Sequence, residues 1–174
     1  MQKFSLLPFF FFLLSFGCRT SPSDTVLQEG DLIFQDLNCG ALCDAIEAVT
    51  EGVNGKDFSH IGMVVKVNDK LEVLEAIGDR VQTTPLRTFF ARSGDSLQVT
   101  HITVGRLKAE YATLIPEAVK YATSQIGMPY DDDYIMDNGR WYCSELLYTA
   151  FKKANREKEL FDLNPMTFKD PATH

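Results

Sequence analysis

Positive charge is the first thing this 174-residue chain is short of. Its 17 Lys and Arg stand against 24 Asp and Glu, for a formal net charge of -7. No basic stripe and no interleaving of basic and aromatic residues offsets that balance, which argues against a nucleic-acid partner. Metal-ligand patterns are scarce as well. There are four Cys and three His, with no second Cys/His pair at zinc-ligand spacing. Asp131-Asp132-Asp133 lacks the spaced ligands and distal Glu of a calcium loop. The residues therefore point to no metal and no cofactor. Internal repeats are absent, and the N-terminal apolar run is too short to span a bilayer. What is plentiful is apolar content, 45% against 24% charged, which suits one compact domain with a core of its own.

That domain starts after the N-terminus. Lys3 supplies a positive start, Leu6 to Phe16 are rich in Phe and Leu, and Gly17-Cys18 is followed by polar Arg19-Thr20-Ser21. The pattern reads as a secretory signal segment over residues 1–18, with Cys18 placed like the cysteine of a bacterial lipobox. Ser15 stands where such motifs usually carry Leu. Residues 19–28 form a linker, and 29–174 a single catalytic domain. The expectation is an exported cell-envelope protein, anchored to a membrane surface through an acylated Cys18 and not embedded in the bilayer. In an oxidising compartment Cys39 and Cys43 can pair; spacing alone leaves a disulfide and two half-buried thiols equally open.

Two segments carry the chemistry. Trp141-Tyr142-Cys143-Ser144-Glu145-Leu146-Leu147 sets a cysteine at the mouth of an amphipathic helix expected over 143–154. Phe58-Ser59-His60-Ile61-Gly62 sets a histidine at the head of a strand. His60 to Val67 and Lys70 to Ile77 read as a hairpin turning at Asn68-Asp69. If Val67 faces Lys70, then Gly62 faces Glu75, and His60, Gly62, Glu75 and Ile77 share one face. Glu75 then lies diagonal to His60, within reach of its ring. A thiol at a helix N-terminus has a lowered pKa, and a nearby imidazole stabilises the thiolate. Glu75 would orient that imidazole, and the Cys143 backbone N–H would face a developing oxyanion. Tyr130 or Tyr142 would add a second donor, and Asp131 would receive a substrate amine. Each residue has an ordinary rival reading: a buried cysteine, a core histidine, a solvent-facing glutamate, a solvated turn. His101 and His174 are given no catalytic role.

Other elements follow from pattern: a strand at 30–35, helices at 41–49 and 85–91, a strand at 97–107 and a helix at 109–126. Strands and helices grouped this way make an α+β domain.

Taken in order, Gly30-Asp31-Leu32-Ile33-Phe34, Phe58-Ser59-His60-Ile61-Gly62-Met63-Val64, Glu75-Ala76, Gly127-Met128-Pro129-Tyr130-Asp131 and Tyr142-Cys143-Ser144-Glu145-Leu146 resemble the YiiX/YaeF-type permuted papain-like amidases of the NlpC-like cysteine hydrolase superfamily. The resemblance implies a circularly permuted papain-like fold, a small antiparallel β-barrel or sheet packed against helices, with the histidine strand ahead of the cysteine helix. It implies Cys143 as nucleophile, His60 as base and Glu75 as orienting acid. The implied activity is hydrolysis of an amide in a cell-wall peptide or small amino-acid amide. A lipid ester hydrolase or acyltransferase, or a binding lipoprotein without activity, are the alternatives. A long apolar groove beside Cys143 would favour lipids, and an acidic pocket at Asp131 would favour amines.

Overall fold

A computed structural model describes residues 26–37, 39–50, 52–53, 55–93 and 101–163. Its centre is the hairpin of β2 (His60–Val67) and β3 (Lys70–Ile77). Asn68 and Asp69 both take positive φ, 48° and 61°, the conformation a two-residue type I′ turn requires and that Asn and Asp tolerate best. Because the loop has two residues, Val67 pairs with Lys70, and the ladder runs in register to Met63 opposite Leu74.

β4 (Arg80–Pro85) follows through a second two-residue turn, Gly78-Asp79. β1 (Leu32–Gln35) pairs with β2, and β5 (Ile102–Gly105) pairs with β1. The antiparallel order is β4-β3-β2-β1-β5. The sheet is open, with β4 and β5 as its edges, and does not close into a barrel. β4 has no counterpart among the elements expected from pattern, since Gln82-Thr83-Thr84-Pro85 offers little apolar alternation. Of the strand expected at 97–107, Ile102–Gly105 is present, and 94–100 lie outside the described residues.

Alternation along the strands gives each face its own core. Met63, Val65, Leu74, Ala76 and Val81 point to one side and meet Ala118, Ala122, Leu146, Leu147, Ala150 and Phe151. Those residues belong to α3 (Ile115–Ser124) and α4 (Cys143–Ala154). On the other side Ile33, Val64 and Val73 pack with Phe89 of the short α2 (Leu86–Ala91). The helix expected over 109–126 is instead a 3₁₀ segment, Ala109–Leu114, followed by α3. Pro116 sits in the first turn of α3 and has no N–H, so a continuous α-helical ladder back to residue 112 is not available.

α1 (Ala41–Val49) lies where its periodicity put it, and Cys39 and Cys43 at its start form a disulfide. Asp31, fully buried at the entrance to β1, accepts a forked pair of bonds from Arg106 at 2.7 and 2.8 Å, tying that entrance to the end of β5. The expected leader, Cys18 and most of the linker lie outside the described residues. Among the described residues no helix is long and apolar enough to cross a membrane.

Candidate active site

β2 and β3 stay paired only as far as Met63 and Leu74, and the site is built from the residues just past that point. Val64 exchanges its backbone bond with β1 (Val64 N–H to Asp31, 2.8 Å). By alternation Ile61 turns its N–H the other way, toward β3. There it meets the sulfur of Cys143, which also accepts from the N–H of Ser144. Cys143 is the first residue of α4, so two backbone donors and the positive end of the helix converge on one sulfur.

His60 and Glu75 share the α2-facing side of the sheet, as the hairpin register requires. His60 Nε2 lies 2.6 Å from Glu75 Oε2, and the ring also interacts with the Cys143 side chain. Both partners are buried, with side-chain exposures of 4% and 0%. Burial by itself would discourage a charged imidazole. The Cys143 and Glu75 side chains more than offset it and push His60 up to about 9. Burial likewise acts to raise the Cys143 pKa, but His60 and the two N–H donors outweigh it and hold the thiol below its ordinary range. For Glu75 the cost of burial is exceeded by His60, Thr84 and Arg92, so it too is lowered. All three directions favour a thiolate–imidazolium–carboxylate arrangement.

Phe34, Phe58, Ile61, Tyr134 and Tyr142 line a cavity of about 130 Å³ that reaches Cys143 and His60. Ile46 and Thr50, at the far end of α1, close one side of it; the Cys39–Cys43 disulfide ties down the opposite end of that helix. A larger cavity of about 420 Å³ adjoins it, sharing Phe34, Thr50, Ile61, Tyr142 and Ser144. Its further walls are mostly apolar, including Leu32, Met136, Leu147 and Phe161, with Glu145 and Asp162 among them.

A family model described as "Permuted papain-like amidase enzyme, YaeF/YiiX, C92 family" matches residues 26–174. The chain belongs to this family. It is also 32% identical over 127 residues to YiiX of Escherichia coli strain K12, an uncharacterized protein. That match covers 73% of this chain and 58% of YiiX. The crystal structure of metalloprotein yiiX from Escherichia coli O157:H7 aligns at a TM-score of 0.57 with 30% identity. It covers 73% of this chain and 66% of that one. The chain thus spans roughly three fifths to two thirds of the length of these relatives. The family is one of cysteine amidases and peptidases with a permuted papain-like fold, and the α+β architecture here is that fold.

Of the other residues singled out from sequence, Tyr142 lines the 130 Å³ cavity. Tyr130 stands behind Tyr134, to which its hydroxyl is hydrogen-bonded. Burial raises both phenols, Tyr142 up to about 12. Asp131 is fully buried. Its carboxylate accepts from the N–H groups of Asp133 (3.1 Å) and Ile135 (2.7 Å), shaping the loop that brings Tyr134 to the cavity. It lines neither cavity beside Cys143.

Sequence reasoning missed three residues. Arg92 bonds both oxygens of Glu75. Tyr134 sits at φ 53° in that loop. Glu145, in the first turn of α4, accepts the Asp137 N–H at 2.8 Å and reaches back to the Tyr142 N–H. Only Glu145 left a local trace, an acid at the third helical position as in a capping box. Among the described residues no three His, Cys, Asp or Glu side chains cluster to hold a metal ion.

Proposed function

We propose that the protein hydrolyses an amide bond through a Cys143–His60–Glu75 triad and a thioester on Cys143. The observation that carries this reading is the place of buried His60 between Glu75, 2.6 Å from its Nε2, and the Cys143 side chain. The Cys143 thiolate attacks the carbonyl carbon, and the oxyanion meets the Cys143 N–H, an orphan donor at the start of the helix. Tyr142 and Tyr134 stand in the same cavity as candidates for a second donor. His60, as imidazolium, gives its proton to the leaving amine and leaves a thioester. Water, deprotonated by His60, then attacks that thioester and releases a carboxylic acid, regenerating the thiolate–imidazolium pair. Glu75 holds the ring and balances its charge throughout.

The leading substrates are cell-wall peptides and small amino-acid amides, consistent with an exported protein tethered through Cys18. Support for export comes from the leader pattern of residues 1–18. A second reading, an acyl ester hydrolase or acyltransferase on lipids, is favoured by one specific feature: the 420 Å³ cavity, largely apolar but for Glu145 and Asp162, that adjoins the smaller cavity at Cys143. The burial of Asp131 weakens the case for an acidic amine-binding pocket at that residue. The solved relative is called a metalloprotein, but a resident metal does not fit the donor set of this chain. His60 Nε2 is engaged by Glu75, and among the described residues no three His, Cys, Asp or Glu side chains are arranged to hold an ion, so no step passes through one.

Turnover of a panel of peptide amides and acyl esters by wild type and Cys143→Ala tests the reading. Loss of turnover in a folded variant is expected, and the substrates that turn over decide between amide and ester. Equal turnover in the two proteins would refute it.

A further inference from the structure

Glu75 is held from two sides. Besides His60 on β2, it receives Arg92, the residue that follows α2. A single terminal nitrogen, Nη2, lies 2.6 Å from Oε1 and 2.8 Å from Oε2. The guanidinium rests over the Phe89 ring, 5.0 Å from its centroid, and the same ring lies 6.0 Å from the imidazole of His60. One aromatic side chain thus supports both charged groups that contact Glu75. The end of α2 is itself fastened. Gln35, fully buried on β1, donates through Nε2 to the Phe89 carbonyl at 2.6 Å and to Ser93 Oγ at 2.8 Å, either side of the segment bearing Arg92. Arg92 Nε is buried with no partner, so the guanidinium is turned to serve Glu75 at the expense of its own bonding.

We propose that Arg92 is a positioning residue of this active site: it locks Glu75 in the orientation His60 needs and supplies the fixed positive charge that balances the triad. The inference rests on the triad reading above. Thiolate, imidazolium and carboxylate together carry one net negative charge in a buried place, and Arg92 brings that sum to zero. The charged groups facing Glu75 are His60 from β2 and Arg92 from the end of α2, with neutral Thr84 from β4. Cys143 faces His60 from α4. Removing Arg92 leaves a buried negative group that takes up a proton more readily, and the thiolate is where that proton goes. The pH at which Cys143 becomes nucleophilic then moves upward. A side chain that only propped up α2 would lower overall reactivity without moving that limb.

The test is the pH profile of iodoacetamide alkylation, followed on the Cys143 peptide by mass spectrometry in the full chain, for wild type, Arg92→Met and Arg92→Lys. No substrate is required. Arg92→Met is expected to shift the acid limb to higher pH, lowering alkylation below the limb about tenfold for each unit moved. Arg92→Lys, which keeps the charge, is expected to return the limb toward wild type. A wild-type acid limb that neither variant moves would overturn the role of Arg92 while leaving the triad standing. A wild-type Cys143 that alkylates like an ordinary exposed thiol would overturn both. Should Arg92→Met fail to fold, Arg92→Gln takes its place: a limb that Arg92→Gln leaves where wild type has it would refute the charge-balancing role.

Discussion

Replacing Glu75 with Gln keeps the volume of a fully buried side chain while removing its charge. His60 stands at about 9 where an ordinary histidine is 6.5, so the folded site favours imidazolium by roughly 3 kcal/mol. Burial opposes that preference, and Cys143 and Glu75 are the two groups that supply it. Losing Glu75 therefore removes part of that preference, and the imidazole gives up its proton at lower pH. Geometry adds to the loss. An amide has one acceptor oxygen for the two donors that Glu75 now serves, His60 Nε2 and Arg92 Nη2, and its NH₂ end would face a cation.

We therefore expect Glu75→Gln to lower kcat by about 10²–10⁴ without moving the acid limb of Cys143 alkylation to higher pH, because losing a carboxylate does not favour the protonated thiol. The alkaline limb of kcat/KM reflects loss of the imidazolium that protonates the leaving amine. It should fall through about 9 in wild type and at lower pH in the variant, because removing a carboxylate makes the imidazole easier to deprotonate. The linkage has the matching sign. A histidine raised on folding stabilises the protein fully below 6.5, and that contribution disappears as pH climbs through about 9. Steady-state kinetics and alkylation on the same samples, with circular dichroism to verify folding, are the assay. A Glu75→Gln protein with the wild-type rate and the wild-type alkaline limb would show that the carboxylate does not act on His60 as reasoned.

Two other outcomes are expected. Gly62 leaves no room for a side chain: a Cβ there would lie 2.3 Å from Val73 Cγ1 and 3.3 Å from Phe89 Cε2. Gly62→Ala should therefore cost about 1–3 kcal/mol, seen as a Tm lower by roughly 2–10 °C. It should also disturb His60 and Arg92 through Phe89; an unchanged Tm and rate would mean that the sheet yields freely at this point. Cys18→Ala is expected to move the protein from the membrane fraction to the soluble fraction of cells while leaving hydrolysis intact; continued membrane attachment would count against an acyl anchor at that cysteine.

Much of the site could be read along the chain because its parts obey short-range rules. Asn68 and Asp69 tolerate the positive φ of a two-residue turn, and that loop length alone settles the β2–β3 register and puts His60 and Glu75 on one face. The apolar stripe from Leu146 to Ala154 and the polar segment before Cys143 mark where α4 starts, and so place the thiol at a helix N-terminus. These features depend on the backbone geometry of a few consecutive residues, which sequence displays directly.

What lay beyond that range was decided by packing. Arg92 reaches Glu75 only because α2 folds back over the sheet and Gln35 fastens it there, and nothing in Phe89-Phe90-Ala91-Arg92 signals such a contact. Asp131 stands in an acidic run that resembles a solvated turn, yet the loop closes around its carboxylate and buries it. The sheet stays open because β4 and β5 end up at opposite edges with β3, β2 and β1 between them, an arrangement that the pattern of any one strand does not reveal. Periodicity is a property of neighbours along the backbone. Pairing between distant segments is a collective property of the folded chain, set by which surfaces the core brings face to face.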